Sequence, residues 1–229
     1  LYDRYSRPGN VYLRHKLTAN YVYKGPVEEW YVRIKSAMED YYKYFESIIP
    51  RRASVVDVGC GYGMLSYMLA NTSNERTILG IDYDEDKTAV ANHNFSKTKR
   101  IQFECADALT YHFPHADVFV INDVLHYMDY DSQEILMEKC VSKMNKGGMI
   151  IVRDSDADKT EKHKITRFTE VLSTRIFQFN KTKQQLQFPT AKQFELFAKK
   201  HGLKLKQKTN DKYTSNQVFI FSKEQTGEA

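Results

Sequence analysis

The sequence predicts an α/β protein built on a mostly parallel sheet with helices on both faces. Three observations carry this. Between Ala53 and Val152, short β-branched runs alternate with segments of helical spacing, the pattern of parallel strands joined by crossover helices. The first run, Ser54–Val58, passes through three glycines, Gly59, Gly61 and Gly63, directly into a helical segment. The chain then closes on two alternating segments, Leu203–Gln207 and Gln217–Ser222, joined by a polar loop. These read as an antiparallel ending.

Taken in order, residues 1–24 interleave Tyr2, Tyr5, Tyr12, Tyr21 and Tyr23 with Arg4, Arg7, Arg14, Lys16 and Lys24. Asn10 suits the cap of a short helix over Val11–Val22. Gly25-Pro26 breaks the chain, and Pro26, Glu28 and Glu29 fit the first turn of a second helix. Trp30, Ile34, Met38, Tyr41, Phe45 and Ile48 recur at steps of three and four, one apolar face that ends before Pro50.

The first strand is expected over 53–58, with its helix at 63–71. The second is Thr77–Ile81, followed by a helix over Glu85–Phe95 that Asp84 caps. The third is Arg100–Cys105 and the fourth Asp117–Ile121. Ser132 opens a helix carrying Ile135, Leu136 and Val141. Lys146-Gly147-Gly148 reads as a turn into the fifth strand, Met149–Val152. A helix is expected over Lys162–Arg175, then a hairpin or lid over Ile176–Phe188. Thr190 and Gln193 form a capping-box pattern that leads a helix to Lys200, stopped by Gly202.

In open α/β sheets ligands bind beyond the carboxyl ends of the strands. The first end reads Asp57-x-Gly59-x-Gly61-x-Gly63. A dinucleotide fingerprint has its third glycine one place later. The present spacing, with an acid two places before the first glycine, resembles the first motif of class I S-adenosylmethionine (SAM)-dependent methyltransferases.

The other strand ends extend the resemblance. Asp82 ends the second strand, 23 residues after Gly59, near the spacing expected of an acid on ribose hydroxyls. Tyr83 follows, placed to lie against adenine. The third strand ends in Ala106-Asp107-Ala108, where the family often has Gly-Asp-Ala and the acid accepts from the adenine amine. The fourth ends in Asn122-Asp123-Val124-Leu125-His126-Tyr127, which resembles the D-V-L-H segment of small-molecule and lipid methyltransferases. It is neither the N/D-P-P-Y of exocyclic-amine DNA methyltransferases nor accompanied by the Pro-Cys nucleophile of cytosine C5 enzymes. The fifth ends in Arg153-Asp154-Ser155-Asp156.

The resemblance covers residues 50–155. It implies a Rossmann-like class I fold: a seven-stranded, mostly parallel sheet of order 3-2-1-4-5-7-6, with an N-terminal helical extension. It implies SAM as cofactor and S-adenosylhomocysteine (SAH) as product. Asp57, Gly59, Cys60, Gly61, Gly63, Asp82, Tyr83, Asp107, Ala108, Asn122 and Asp123 become the expected cofactor-binding residues. Asp57 is expected near the cofactor ammonium, and Asn122 and Asp123 near its methionine end. His126 and Asp154 are the candidate catalytic residues, with His126 either a general base or a packing or cofactor-side histidine. No metal is expected.

The chain is 229 residues, 41% hydrophobic and 28% charged, enough for one sizeable α/β domain with an accessory element. Residues 50–229 are expected as the domain, 1–49 as an extension or lid, and 158–188 as a substrate lid. No apolar run approaches a membrane span. Cys60, Cys105 and Cys140 are odd in number and lack a C-x-x-C pair, which suits reduced thiols in a cytoplasmic setting. The net charge of +5 is concentrated near the N-terminus, which suits an anionic membrane surface, a nucleic acid, an acidic partner domain or plain solvation. Residues 1–50 look like those of methyltransferase domains fused behind acyltransferase domains in bacterial lipid or polyene-pigment pathways. Together with Leu1 in place of Met, this suggests a domain of a larger polypeptide.

The function expected is methyl transfer to a small, hydrophobic or lipid-like acceptor. Two other readings stay open. One is a non-catalytic SAM-binding module, and the other an RNA or protein methyltransferase using the basic N-terminus. Nucleic acid is the less favoured partner, and the oligomeric state is not legible.

Overall fold

A computed structural model describes residues 19–21, 25, 41–155, 186–208 and 216–223. The alternating runs form one seven-stranded sheet of order β3-β2-β1-β4-β5-β7-β6. Its strands are β1 (Ser54–Val58), β2 (Thr77–Asp82), β3 (Ile101–Cys105), β4 (Ala116–Asn122), β5 (Met144–Ser155), β6 (Leu203–Lys208) and β7 (Asn216–Lys223). The helices are α1 (Tyr41–Ile48), α2 (Met64–Thr72), α3 (Glu85–Asn92), α4 (Tyr130–Lys143) and α5 (Ala191–Lys200). The chain divides into two compact units, Leu1–Asp107 and Ala108–Ala229. The expected helix over 11–22, the apolar face from Trp30 to Met38 and the 158–185 segment lie outside the described residues, apart from 19–21. No described helix is long and apolar enough to cross a membrane.

In the first unit β1 and β3 both pair parallel with β2. Val55, Val56, Val58, Ile78, Ile81 and Ile101 are buried, because helices cover both faces of a parallel sheet and leave little room for polar alternation. The unit also buries a cation that sequence patterning did not single out. Arg76 is 0% exposed. Its five N–H donors meet five acceptors: Pro50 O, Leu69 O, Thr72 Oγ1, Glu46 O and Ile49 O. Those acceptors lie at the carboxyl ends of α1 and α2, where unpaired carbonyls and the helix dipole favour a cation. One guanidinium thus ties both helix ends to the start of β2.

In the second unit β4 and β5 are parallel, and β7 runs antiparallel to both β5 and β6. Three sequence expectations need correction here. Lys146-Gly147-Gly148 is no turn before a strand but a bulge inside β5. Ala116 pairs with Met144 and Val118 with Met149, so two steps on β4 face five on β5. The bulge is set by Gly147 at φ 75° and by Gly148, whose absent Cβ would lie 2.7 Å from Asp117 O. Helix α4 starts at Tyr130, not Ser132, because Asp129 is the cap and accepts from Ser132 N at 2.8 Å. That bond holds the Asp129 carboxyl below its ordinary pKa. The buried face is therefore Gln133, Leu136, Met137 and Cys140, and Ile135 is 49% exposed. In the first unit, α3 likewise ends at Asn92, short of Phe95, which is 67% exposed.

The capping box forms as expected, with Gln193 N donating to Thr190 Oγ1 at 3.2 Å and Thr190 N to Gln193 Oε1 at 2.8 Å. It starts α5, whose Phe194 and Phe197 pack on Phe219 and Phe221 of β7.

Candidate functional site

At the carboxyl end of β1 the loop is built from backbone. Gly59, Gly61 and Gly63 have φ of 69°, 53° and 75°, a region that L side chains avoid. Gly59 N and Cys60 N both donate to Ile81 O, at 2.7 and 3.0 Å. Gly61 N donates to Asp82 Oδ2 at 2.7 Å, and Asp84 N to Asp82 Oδ1 at 2.9 Å. Asp82, 8% exposed, thus fixes the loop after β1 and the start of α3 together. An ionised carboxylate has about four acceptor sites, so two protein bonds leave capacity for a pair of ribose hydroxyls.

The glycines divide by what surrounds them. A Cβ on Gly61 would meet nothing within 4 Å, which leaves its backbone open to a ligand. A Cβ on Gly63 would lie 2.6 Å from the Phe103 ring, and one on Gly80 2.5 Å from the same ring. Phe103 is the bed on which the loop rests, and sequence reasoning missed both it and Gly80. The signal was available: a glycine inside a strand marks a close approach.

Asp57 is 2% exposed and accepts from Ser66 Oγ at 2.6 Å, which fixes the first turns of α2 on the end of β1. Tyr21 Oη donates to Tyr62 O at 2.7 Å. Burial, with Asp57 and Asp82 nearby, pushes the Cys60 thiol well up. Tyr83 is 53% exposed and Asp107 is exposed. The strand end before Asp107 is held by Ala106 N donating to Asp82 O at 2.9 Å.

The second unit carries the remaining candidates, and here side chains do the building. Ala108 O accepts from Lys139 Nζ at 3.0 Å, and Lys139 also bonds Leu109 O. His126 and Asp154, expected as catalytic residues, are brought together. Their Nδ1–Oδ1 separation is 2.7 Å, and His126 N donates to Asp154 Oδ2 at 3.2 Å. Both are buried, at 2% and 1%. A carboxylate on Nδ1 selects the tautomer with the proton there and makes Nε2 the basic atom. The imidazole lies against Tyr127 at 4.1 Å and stacks on Phe188 at 5.2 Å between centroids. Gln133 knots this turn to the chain before α5, donating to Leu125 O, Met128 O and Gln187 O. Asn122 ends β4 and Asp123 follows it, and Arg153 forms an ion pair with Asp123. Gln133, Phe188 and the Arg153 pairing were not legible in the sequence, because each partner lies on a different element.

These geometries meet a family pattern. Residues 55–148 match the family model described as a methyltransferase domain. The matched stretch is similar to that family, and the sheet order is that of the class I methyltransferase fold. Among similar proteins is a carboxy-S-adenosyl-L-methionine synthase of Campylobacter jejuni subsp. doylei, 28% identical over 47% of this chain and 46% of that protein. Another is the mitochondrial ubiquinone biosynthesis O-methyltransferase of Saccharomyces cerevisiae, 32% identical over 40% of this chain and 30% of that protein. The chain spans about half or less of the length of these relatives. Among solved structures, human N-acetylserotonin methyltransferase in complex with SAM shares the fold, with a TM-score of 0.63. It is 17% identical over 88% of this chain and 57% of that one.

Proposed function

We propose that the protein binds SAM and transfers its methyl group to a small, apolar or lipid-like acceptor. The observation that carries the cofactor reading is Asp82, which grips the glycine loop while keeping acceptor capacity beside the open backbone of Gly61. When bound, SAM supplies an electrophilic methyl group on a sulfonium. In the first unit, Asp82 is suited to ribose hydroxyls and Asp107 to the adenine amine; in the second, Asn122 and Asp123 are suited to the ammonium of an amino-acid end. His126 takes the acceptor's proton at Nε2, and Asp154 keeps the ring in that tautomer and orientation. The aromatic surround of Tyr127 and the buried Phe188 excludes water from the imidazole. An apolar acceptor is supported by this surround and by the O-methyltransferase of ubiquinone biosynthesis among the relatives.

A second reading has its own support, since a carboxy-S-adenosyl-L-methionine synthase is also similar. Under it, the SAM methyl would be altered in place and not transferred. Mass spectrometry of the nucleosides formed from SAM in a lysate supplemented with the protein separates the two. Methyl transfer predicts accumulation of SAH with a methylated small molecule extractable into organic solvent. A carboxylated SAM with no SAH would replace this reading with the second.

A further inference from the structure

Among the described residues, Asp123 is the one non-glycine residue with a positive φ, 58°. That conformation is unfavourable for an L side chain and persists where surrounding structure imposes it. Arg153 imposes it twice. Its carbonyl accepts from Asp123 N at 2.9 Å, and its guanidinium pairs with the Asp123 carboxylate through NH1. Arg153 stands opposite Asn122 in the β4–β5 register, so both bonds act on the residue just past the strand end. The Arg153 side chain is 6% exposed, whereas Asp123 is 21% exposed. The acid faces outward and the base stays within. Asn122 Nδ2 donates to Asp123 Oδ2 at 3.4 Å, and Asn122 Oδ1 is buried with no partner. A carboxylate beside an unsatisfied amide oxygen is a donor-seeking arrangement that fits an ammonium group.

We propose that Arg153 is a positioning residue for the amino-acid end of the cofactor. It holds Asp123 in the left-handed conformation from which that carboxylate and Asn122 Oδ1 receive the ammonium. The inference rests on the cofactor reading above but assigns a residue which that reading does not use. A pair retained only for folding would behave differently, because a buried ion pair is often replaceable by apolar side chains without loss.

The test is calorimetry with two ligands, SAH and 5′-methylthioadenosine, the second sharing the adenosine thioether but lacking the amino-acid end. In Arg153→Met, SAH affinity is expected to fall about tenfold to a hundredfold, the usual weight of a charge-assisted contact. Methylthioadenosine affinity should stay within about threefold, and Arg153→Lys should recover most of the SAH affinity. Wild-type SAH affinity in Arg153→Met, or an equal loss for both ligands, overturns the proposal. If Arg153→Met does not fold, Arg153→Gln serves, since it removes the guanidinium while keeping a polar side chain. The same selective loss supports the proposal, and unselective loss or no loss overturns it. Wild-type protein that binds neither ligand defeats the cofactor reading and this inference together. Wild-type protein that binds both, with variants that do not discriminate, defeats the inference alone.

Discussion

The ends of β1 and β4 differ in what builds them. After β1 the loop is made of main chain: three glycines at positive φ, amides converging on Ile81 O, and one carboxylate, Asp82, beneath them. After β4 the turn is made of side chains, with Arg153 on Asp123, Asp154 on His126, and Gln133 on the carbonyls of Leu125 and Met128. The first construction depends on where glycines and one acid stand in a short stretch. The second depends on partners 28 and 30 residues apart on other elements. A backbone-built site tolerates few side chains, and a side-chain-built site fails when any one partner is lost.

The sharpest way to break the contrast is to add side chains to the first region. Gly63→Val meets both φ 75° and the Phe103 ring at 2.6 Å. It should destabilise the protein by about 3–5 kcal/mol, combining overpacking with backbone strain. Gly61→Ala meets only φ 53° in open space and should cost about 1 kcal/mol. Urea unfolding of both variants reads the difference, and equal costs would remove Phe103 as the bed of the loop.

In the second region the loss should appear in rate. His126→Ala is expected to lower kcat about 10²–10⁴-fold on whichever acceptor is found, the usual weight of a positioned base. SAH affinity should change by less than about threefold. A matching loss of SAH affinity would instead make His126 a cofactor-side residue. Asp154→Asn should give a smaller fall in kcat, because the imidazole remains but loses the group that fixes its tautomer.

A smaller effect compares two thiols. Burial, with Asp57 and Asp82 nearby, raises Cys60, whereas burial alone accounts for the raised Cys140 thiol. A raised thiol stays protonated in the folded state after the unfolded thiol begins to ionise near pH 8.5. Stability is therefore fully present below that pH and falls above it, by at most about 1.4 kcal/mol per pH unit for each thiol. Between pH 8 and pH 10, Cys60→Ala should lose less stability than wild type. Parallel pH profiles would show that Cys60 titrates normally.

The same contrast explains what was legible in the sequence. The run Asp57 to Gly63, Asp82, and the Thr190–Gln193 capping box could all be read, because each acts through spacing along one segment. The strand order followed from the family resemblance. The Lys146–Gly148 bulge was misread as a turn, since glycines mark both and only the β4 register separates them. The start of α4 was placed at Ser132 because Asp129 and Ser132 are both good caps, and only the bond from Ser132 N to Asp129 separates them. Arg76 was not singled out, for its acceptors come from residues 46 to 72. Phe103 was missed because its ring meets Gly63 and Gly80, which lie far from it in sequence.

The central claim is that the loop after β1, with Asp82, is shaped for SAM and not for a dinucleotide. Calorimetry of the wild-type protein and Asp82→Ala with SAH and NAD tests it most directly. Wild type should bind SAH and show no heat with NAD. Asp82→Ala should weaken SAH by about 1–3 kcal/mol, roughly 5- to 150-fold, through lost charge-assisted bonds. Circular dichroism should show a folded variant, with a lowered Tm because Gly61 N and Asp84 N lose their acceptor. Tight NAD binding without SAH binding, or a folded Asp82→Ala with undiminished SAH affinity, would contradict the account.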